Sequence, residues 1–205
     1  MAEPAVRPSS SATGARSPRW RTVDIVVTAV LGVAFGVLFW AWSLLYNAVT
    51  PAFAGFPPGQ AFMYGVWLLA ATVAPLVVRK PGAALFAELI GSVVEALAGS
   101  SFGTLVILYG LLQGAAAELG FALFRYRRFG WPQALLAGAL SGVMASILDF
   151  VNYYPDWTAG WKTTYLVLVV ASTTVVAGAG GMLLTRGLAA SGALSSFGTA
   201  GRTRV

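Results

Sequence analysis

Apolar residues in this chain come in long uncharged runs, separated by short breaks that hold most of the charge, proline and loop-forming residues. A helix needs roughly 17 to 25 mostly apolar residues to cross hydrocarbon. Six stretches have about that length: Ile25 to Tyr46, Ala61 to Val78, Gly82 to Gly99, Ser101 to Phe124, Trp131 to Phe150 and Thr163 to Thr185. The pattern predicts an all-α protein, a six-helix transmembrane bundle spanning residues 19 to 188. Residues 1 to 18, rich in Pro, Ser, Ala and Arg without hydrophobic periodicity, are expected to form a disordered cytoplasmic arm, and residues 189 to 205 a similar tail. The first apolar run exceeds the roughly 7 to 15 residues of a signal-peptide core, so this helix is expected to be retained.

Composition agrees with a bilayer as solvent. Hydrophobic residues make up 58% of the 205 and charged residues 10%, against about 25% charged in a soluble domain. There is no Cys and no His, which removes thiolate catalysis, the usual proton shuttle and the commonest zinc ligands. Neither a Walker A loop, nor a dinucleotide glycine fingerprint, nor a metal-ligand cluster is present. No catalytic residue, metal or cofactor is expected.

The net charge of +6 is distributed in a way that orients the bundle. Twelve of the 13 cations lie before the first helix, after the second, after the fourth or after the sixth, and only Lys162 lies on the other side. Short cytoplasmic loops carry this excess, so both termini are expected in the cytoplasm. That layout suits a membrane protein and gives no soluble basic face for nucleic acid.

Carboxylates within a span cost a few kcal/mol each and mark sites or helix contacts. Glu88 and Glu95, seven residues apart, share a face of the third helix with Gly91, Ser92 and Gly99. Helix five places Ser141, Gly142, Ala145, Ser146, Asp149 and Asn152 along one small, polar face, and Tyr109 and Gln113 stand one turn apart on helix four. Glu118, about 140° around from Gln113, is expected to face another neighbour, near Arg125 and Arg128. Eleven of the 14 Trp and Tyr residues fall in the outer half, including Tyr153, Tyr154, Trp157, Trp161 and Tyr165. Rings beside carboxylates suit a flat, cationic organic ligand, which predicts a pocket open to the exterior. Two outer loops are candidate covers: Asn47 to Gln60, and Pro155 to Lys162 with its two tryptophans. On helix one, Thr28, Gly32 and Gly36 form a small-residue stripe for close helix approach, within the bundle or to a partner.

The stretches PGAALFAELIGSVVEALAGSSFG (Pro81 to Gly103), QGAAAELGFALFRYRR (Gln113 to Arg128) and DFVNYYPDW (Asp149 to Trp157) resemble the YkoE family. That family comprises substrate-binding S components of energy-coupling factor (ECF) transporters, associated with thiamine or its hydroxymethylpyrimidine precursor. The resemblance implies vitamin capture from outside, with a membrane T component and two cytoplasmic ATPases as partners. It also implies a gating first external loop, here Asn47 to Gln60, and T-component docking through Thr28, Gly32 and Gly36. Related thiamine-binding members use tryptophan, glutamate and histidine in the pocket; without His, that last place falls to Asp149 or Asn152. The substrate set implied is Glu88, Glu95, Tyr109, Gln113, Asp149, Asn152, Tyr153, Trp157, Trp161 and Tyr165. Two rivals belong to other classes: a stand-alone proton-coupled carrier relaying through Glu88, Glu95 and Glu118, and a membrane enzyme with paired carboxylates.

Overall fold

The computed structural model describes residues 19–192, so the arm expected at 1–18 and the tail from residue 193 lie outside the described residues. The rest is a bundle of six helices: α1 (Thr22–Val49), α2 (Pro57–Val78), α3 (Ala83–Leu97), α4 (Leu105–Ala122), α5 (Trp131–Asn152) and α6 (Ala159–Ala190). Five of them are long and apolar enough to cross a membrane. The exception is α3, with 15 residues, about 22 Å at 1.5 Å per residue. The expected span from Gly82 to Gly99 is shorter because those two glycines, with φ of 86° and 87°, stand outside its ends. The left-handed backbone favours glycine and stops the helix from continuing. Packed between α1 and α4 and backed by α2, α3 is the inner helix on which the site is built.

Two helices depart from regular winding. α2 begins at Pro57, four residues earlier than the sequence reading, and is a 3-10 helix as far as Leu68. In that winding side chains three apart eclipse one another, so Pro58, Ala61, Tyr64 and Trp67 form one row facing the protein. α6 opens into a π-helix over Thr173–Gly180. The hydroxyl of Thr72 on α2 donates to the carbonyl of Ala177 in this stretch (2.7 Å), and Ser172 Oγ accepts the N–H of Gly65 (3.1 Å) while donating to Phe62 O (2.8 Å). Side chains thus supply hydrogen bonds where irregular winding displaces backbone partners. α6 also runs to Ala190, two residues past the boundary expected for the tail.

At the arginine-rich end, the start of α1 is tied to the α2–α3 turn. Buried Asp24 pairs with Arg21 (3.0 Å) and Lys80 (3.7 Å), and Trp20 Nε1–H donates to Pro81 O (3.0 Å). The exposed face of α1 is apolar, with Val30, Val33, Val37 and Leu44 outward, as a lipid-facing surface requires.

The small-residue stripe on α1, expected to serve close helix approach within the bundle or to a partner, turns inward toward α3. Thr28 is fully buried, and its hydroxyl donates to Asp24 O. A Cβ on Gly32 would lie 2.8 Å from Ile90 Cβ and 2.9 Å from Ala87 O; one on Gly36 would lie 2.6 Å from Val94 Cβ and 2.7 Å from Gly91 O. The absence of side chains at the two glycines lets the α1 and α3 backbones come close together, and all three stripe residues are buried within the subunit.

Candidate functional site

A cavity of about 720 Å³, its open mouth included, lies toward the end of the bundle opposite the arginine-rich turns. Every helix contributes to its wall: Phe39 and Tyr46 from α1, Tyr64 and Trp67 from α2, Glu88, Ser92 and Glu95 from α3, Tyr109 and Gln113 from α4, Asp149 from α5 and Tyr165 from α6. Phe102, Tyr153 and Tyr154 close it from the turns. Among the described residues its lining includes three carboxyl groups and no Lys or Arg, so it favours a ligand with positive charge or hydrogen-bond donors.

Glu95 has a local donor set. The hydroxyls of Ser43 (2.6 Å) and Ser100 (3.1 Å) both donate to Oε1, and Trp67 Nε1–H donates to Ser43 Oγ (3.2 Å). Carboxylate, serine and indole therefore hold one another, and Oε2 is left without a hydroxyl partner. Glu88, two turns deeper, serves the backbone of α2. Leu68 leaves helical geometry (φ −108°, ψ 9°) where 3-10 winding gives way to α, and the N–H of Ala71 is among the first that the new helix cannot satisfy itself. Glu88 Oε2 accepts it at 2.9 Å. This carboxyl group both lines the cavity and holds the junction that positions Trp67.

Across the cavity, Tyr109 O–H donates to Asp149 Oδ1 (2.9 Å) and Tyr165 O–H to Oδ2 (2.6 Å), while Gln113 Nε2–H donates to Tyr64 Oη (3.1 Å). Tyr153 and Tyr154, on the turn beyond α5, have hydroxyls held above the ordinary phenol range, by burial and by the negative charge of Asp149.

The family whose profile matches residues 23–144 is described as the permease component of an ABC-type cobalt transport system. Over 179 residues the chain is 33% identical to a protein of Bacillus subtilis (strain 168) named putative HMP/thiamine permease protein YkoE, covering 87% of this chain and 89% of that one. A crystal structure described as an S-component of an ECF transporter superposes with a TM-score of 0.82 at 31% identity, covering 87% of this chain and 90% of the other. The chain belongs to the YkoE family. It is a multi-pass cell-membrane protein of the S-component type, a transporter subunit and not an enzyme.

Within this YkoE-family cavity the structure brings together seven of the ten residues singled out as substrate-binding: Glu88, Glu95, Tyr109, Gln113, Asp149, Tyr153 and Tyr165. Asn152, Trp157 and Trp161 lie outside it. The amide of Asn152 donates to Leu148 O (2.8 Å) on its own helix and also reaches the hydroxyl of Tyr109, which does line the cavity. Trp157 stacks on Tyr154 with centroids 3.9 Å apart and planes 16° apart, so Tyr154 takes the inner position and the indole backs it from outside. Trp161 packs edge-on to Trp157 and is 43% exposed.

The ring wall instead draws on Tyr46, Tyr64, Trp67 and Phe102, which pack edge-on in a chain: Tyr64 to Trp67 (5.7 Å), Trp67 to Tyr46 (5.1 Å) and Trp67 to Phe102 (6.1 Å). The available signal was the spacing of Tyr64 and Trp67, three residues apart in a Pro- and Gly-rich run, since 3-10 winding puts such a pair on one face. The first outer loop is also smaller than Asn47 to Gln60. Asn47 remains within α1 and bonds Ser101 Oγ (2.6 Å), Thr50–Phe53 is a 3-10 turn, and Gln60 in α2 donates to Tyr46 O (2.9 Å) and Thr50 Oγ1 (2.7 Å).

Among the described residues, Glu118 neither lines the cavity nor pairs with an arginine. Its carboxylate caps α3, accepting the N–H groups of Gly82 (2.6 Å), Ala84 (2.9 Å) and Leu85 (3.4 Å). An anion there also meets the positive end of the helix dipole. The phenol of Tyr126 beside it is pushed up to about 12, by burial first and then by this charge. Glu118→Gln is expected to remove about 1 to 3 kcal/mol of stability and lower the melting temperature by several degrees, with ligand affinity unchanged. A loss of affinity at an unchanged melting temperature would place Glu118 in the transport path instead.

Proposed function

We propose that this S component captures thiamine or its hydroxymethylpyrimidine precursor from the outer side and delivers it by docking on a membrane T component driven by two cytoplasmic ATPases. Glu95 carries the reading: a carboxylate braced by two serines at a wall of aromatic faces, in a cavity without a lining cation. A thiazolium cation or the amino group of an aminopyrimidine suits that carboxylate, and either flat ring suits the aromatic wall. The name of the B. subtilis relative supports the same ligand class. For a cobalt cargo the donor chemistry is unfavourable, because the sequence has neither His nor Cys and, among the described residues, no three carboxylates stand close enough to hold one metal ion.

Trp67 provides the assay. Thiamine or hydroxymethylpyrimidine is expected to quench tryptophan fluorescence of the purified protein. Trp67→Phe removes most of that signal while calorimetry still finds binding within about tenfold of wild type, since an aromatic face remains. Absence of quenching and of binding heat with both compounds would reject the ligand assignment. Dependence on partners is read separately: uptake should disappear in cells lacking the coupling ATPases. Persistent uptake there would favour the stand-alone carrier, against which Glu118 already counts through its commitment to capping α3.

A further inference from the structure

The carboxyl groups of the cavity are not equivalent in their hydrogen bonding. Glu95 gathers its two hydroxyls on one oxygen, whereas Asp149, 4% exposed, has a tyrosine hydroxyl on each. The two tyrosines come from different helices: Tyr109 from α4 and Tyr165 from α6, on either side of Asp149 on α5. Tyr64 of α2 adds a third hydroxyl interacting with the same carboxyl group, and its own oxygen is held by Gln113 of α4. The packing reinforces this arrangement. The Tyr109 ring leans on Tyr153 (6.1 Å), and the Tyr165 ring lies against Phe150 (6.0 Å), Tyr154 (5.3 Å) and Trp157 (5.6 Å). Three helices, α2, α4 and α6, are thus joined to one carboxyl group of α5 through side chains that also form the cavity wall. A ligand donor reaching Asp149 would compete with the tyrosine hydroxyls already held on both of its oxygens, and displacing one would leave a buried hydroxyl unpaired, a loss of about 1 to 3 kcal/mol in general.

We propose that Asp149 is a positioning residue: it acts on the ligand only through Tyr64, Tyr109 and Tyr165, whose rings it fixes, and makes no ligand contact of its own. This rests on the vitamin-binding reading for its affinity measurements and separates the two faces of the cavity by role. The α3 face, with Glu95, reads the ligand's charge or donors, and the α5 face sets the shape into which the ligand fits.

The test is a mutant cycle on the full-length protein in detergent, with the affinity and number of sites for thiamine and for hydroxymethylpyrimidine both read from the fluorescence titration. Asp149→Asn alone, and the conservative triple variant Tyr64→Phe, Tyr109→Phe and Tyr165→Phe, are each expected to raise Kd by about tenfold with the number of sites unchanged, since misplaced rings weaken binding without unfolding the protein. Adding Asp149→Asn to the phenylalanine triple should then change Kd by less than about twofold, because all three hydroxyl routes are already cut. A further loss of about tenfold in that background, or no effect of Asp149→Asn alone, overturns the proposal. A fall in site number at unchanged Kd also overturns it, since that is the mark of a purely structural role. The same cycle read as melting temperature without ligand must be non-additive as well. Should wild type bind neither compound, the vitamin reading fails, while additivity or non-additivity of the melting temperatures still decides whether Asp149 and the tyrosines act as one unit.

Discussion

Glu95→Gln should weaken binding of the captured vitamin by about 10- to 100-fold, corresponding to the roughly 1.5 to 3 kcal/mol of a hydrogen bond to a charged group. Glutamine keeps the volume and one acceptor, so Ser43 retains a partner and Trp67 retains Ser43. The change removes the charge and replaces an acceptor oxygen with a donor. For a cationic ring or an exocyclic amino group, that turns an attraction into a mismatch inside a wall that water cannot easily reach. The measurement is the fluorescence titration described above, with protein yield, melting temperature and number of sites unchanged. An unaltered Kd for both compounds would remove Glu95 from the ligand's contacts and with it the main support for the assigned ligand class.

Gly36→Val should have an equally large effect for a different reason. Its first side-chain carbon would sit 2.6 Å from Val94 Cβ and 2.7 Å from the Gly91 carbonyl, and the backbone oxygen cannot rotate away. α1 and α3 must separate, and overpacking of this kind costs about 1 to 3 kcal/mol or more. Because α3 carries both Glu88 and Glu95, the separation also spoils the site. The expected result is a lower yield and melting temperature together with lost vitamin binding in the isolated subunit. If the small-residue stripe were a docking surface, the isolated variant would fold and bind normally and fail only in uptake with its partners. Val33→Ala, on the exposed face of the same helix, serves as the control that should leave folding and binding intact.

Hydropathy alone was sufficient for the helix count, because burying unpaired backbone in hydrocarbon is so unfavourable that long apolar runs must become helices. Intramembrane carboxyl groups were legible as important for the related reason that their placement is expensive unless partnered. Which partner each one found was not legible. Glu88 serves an N–H at a winding junction, Glu95 two serines from α1 and the α3–α4 turn, Glu118 the end of α3, and Asp149 two tyrosines. These contacts join residues from 5 to 52 positions apart in sequence, and no local spacing rule reaches across the longer of those separations.

The aromatic residues show the same division. Their concentration in the outer half was visible from the chain, yet the two late tryptophans were favoured over Tyr46, Tyr64 and Trp67 as the ring wall. What moved the wall was the 3-10 winding of α2, which sets Tyr64 and Trp67 on one row, together with the stacking of Trp157 behind Tyr154. Sequence by itself determined a membrane bundle with most of its cations at one end and most of its rings toward the other, because transfer between water and hydrocarbon depends on residue type and order alone. Tertiary structure decided which side of each helix looks inward, closing the α1 stripe against α3 and turning three acidic residues toward one cavity. Those choices follow from steric fit and hydrogen-bond satisfaction between helices, and both depend on distances that exist only once the chain has folded.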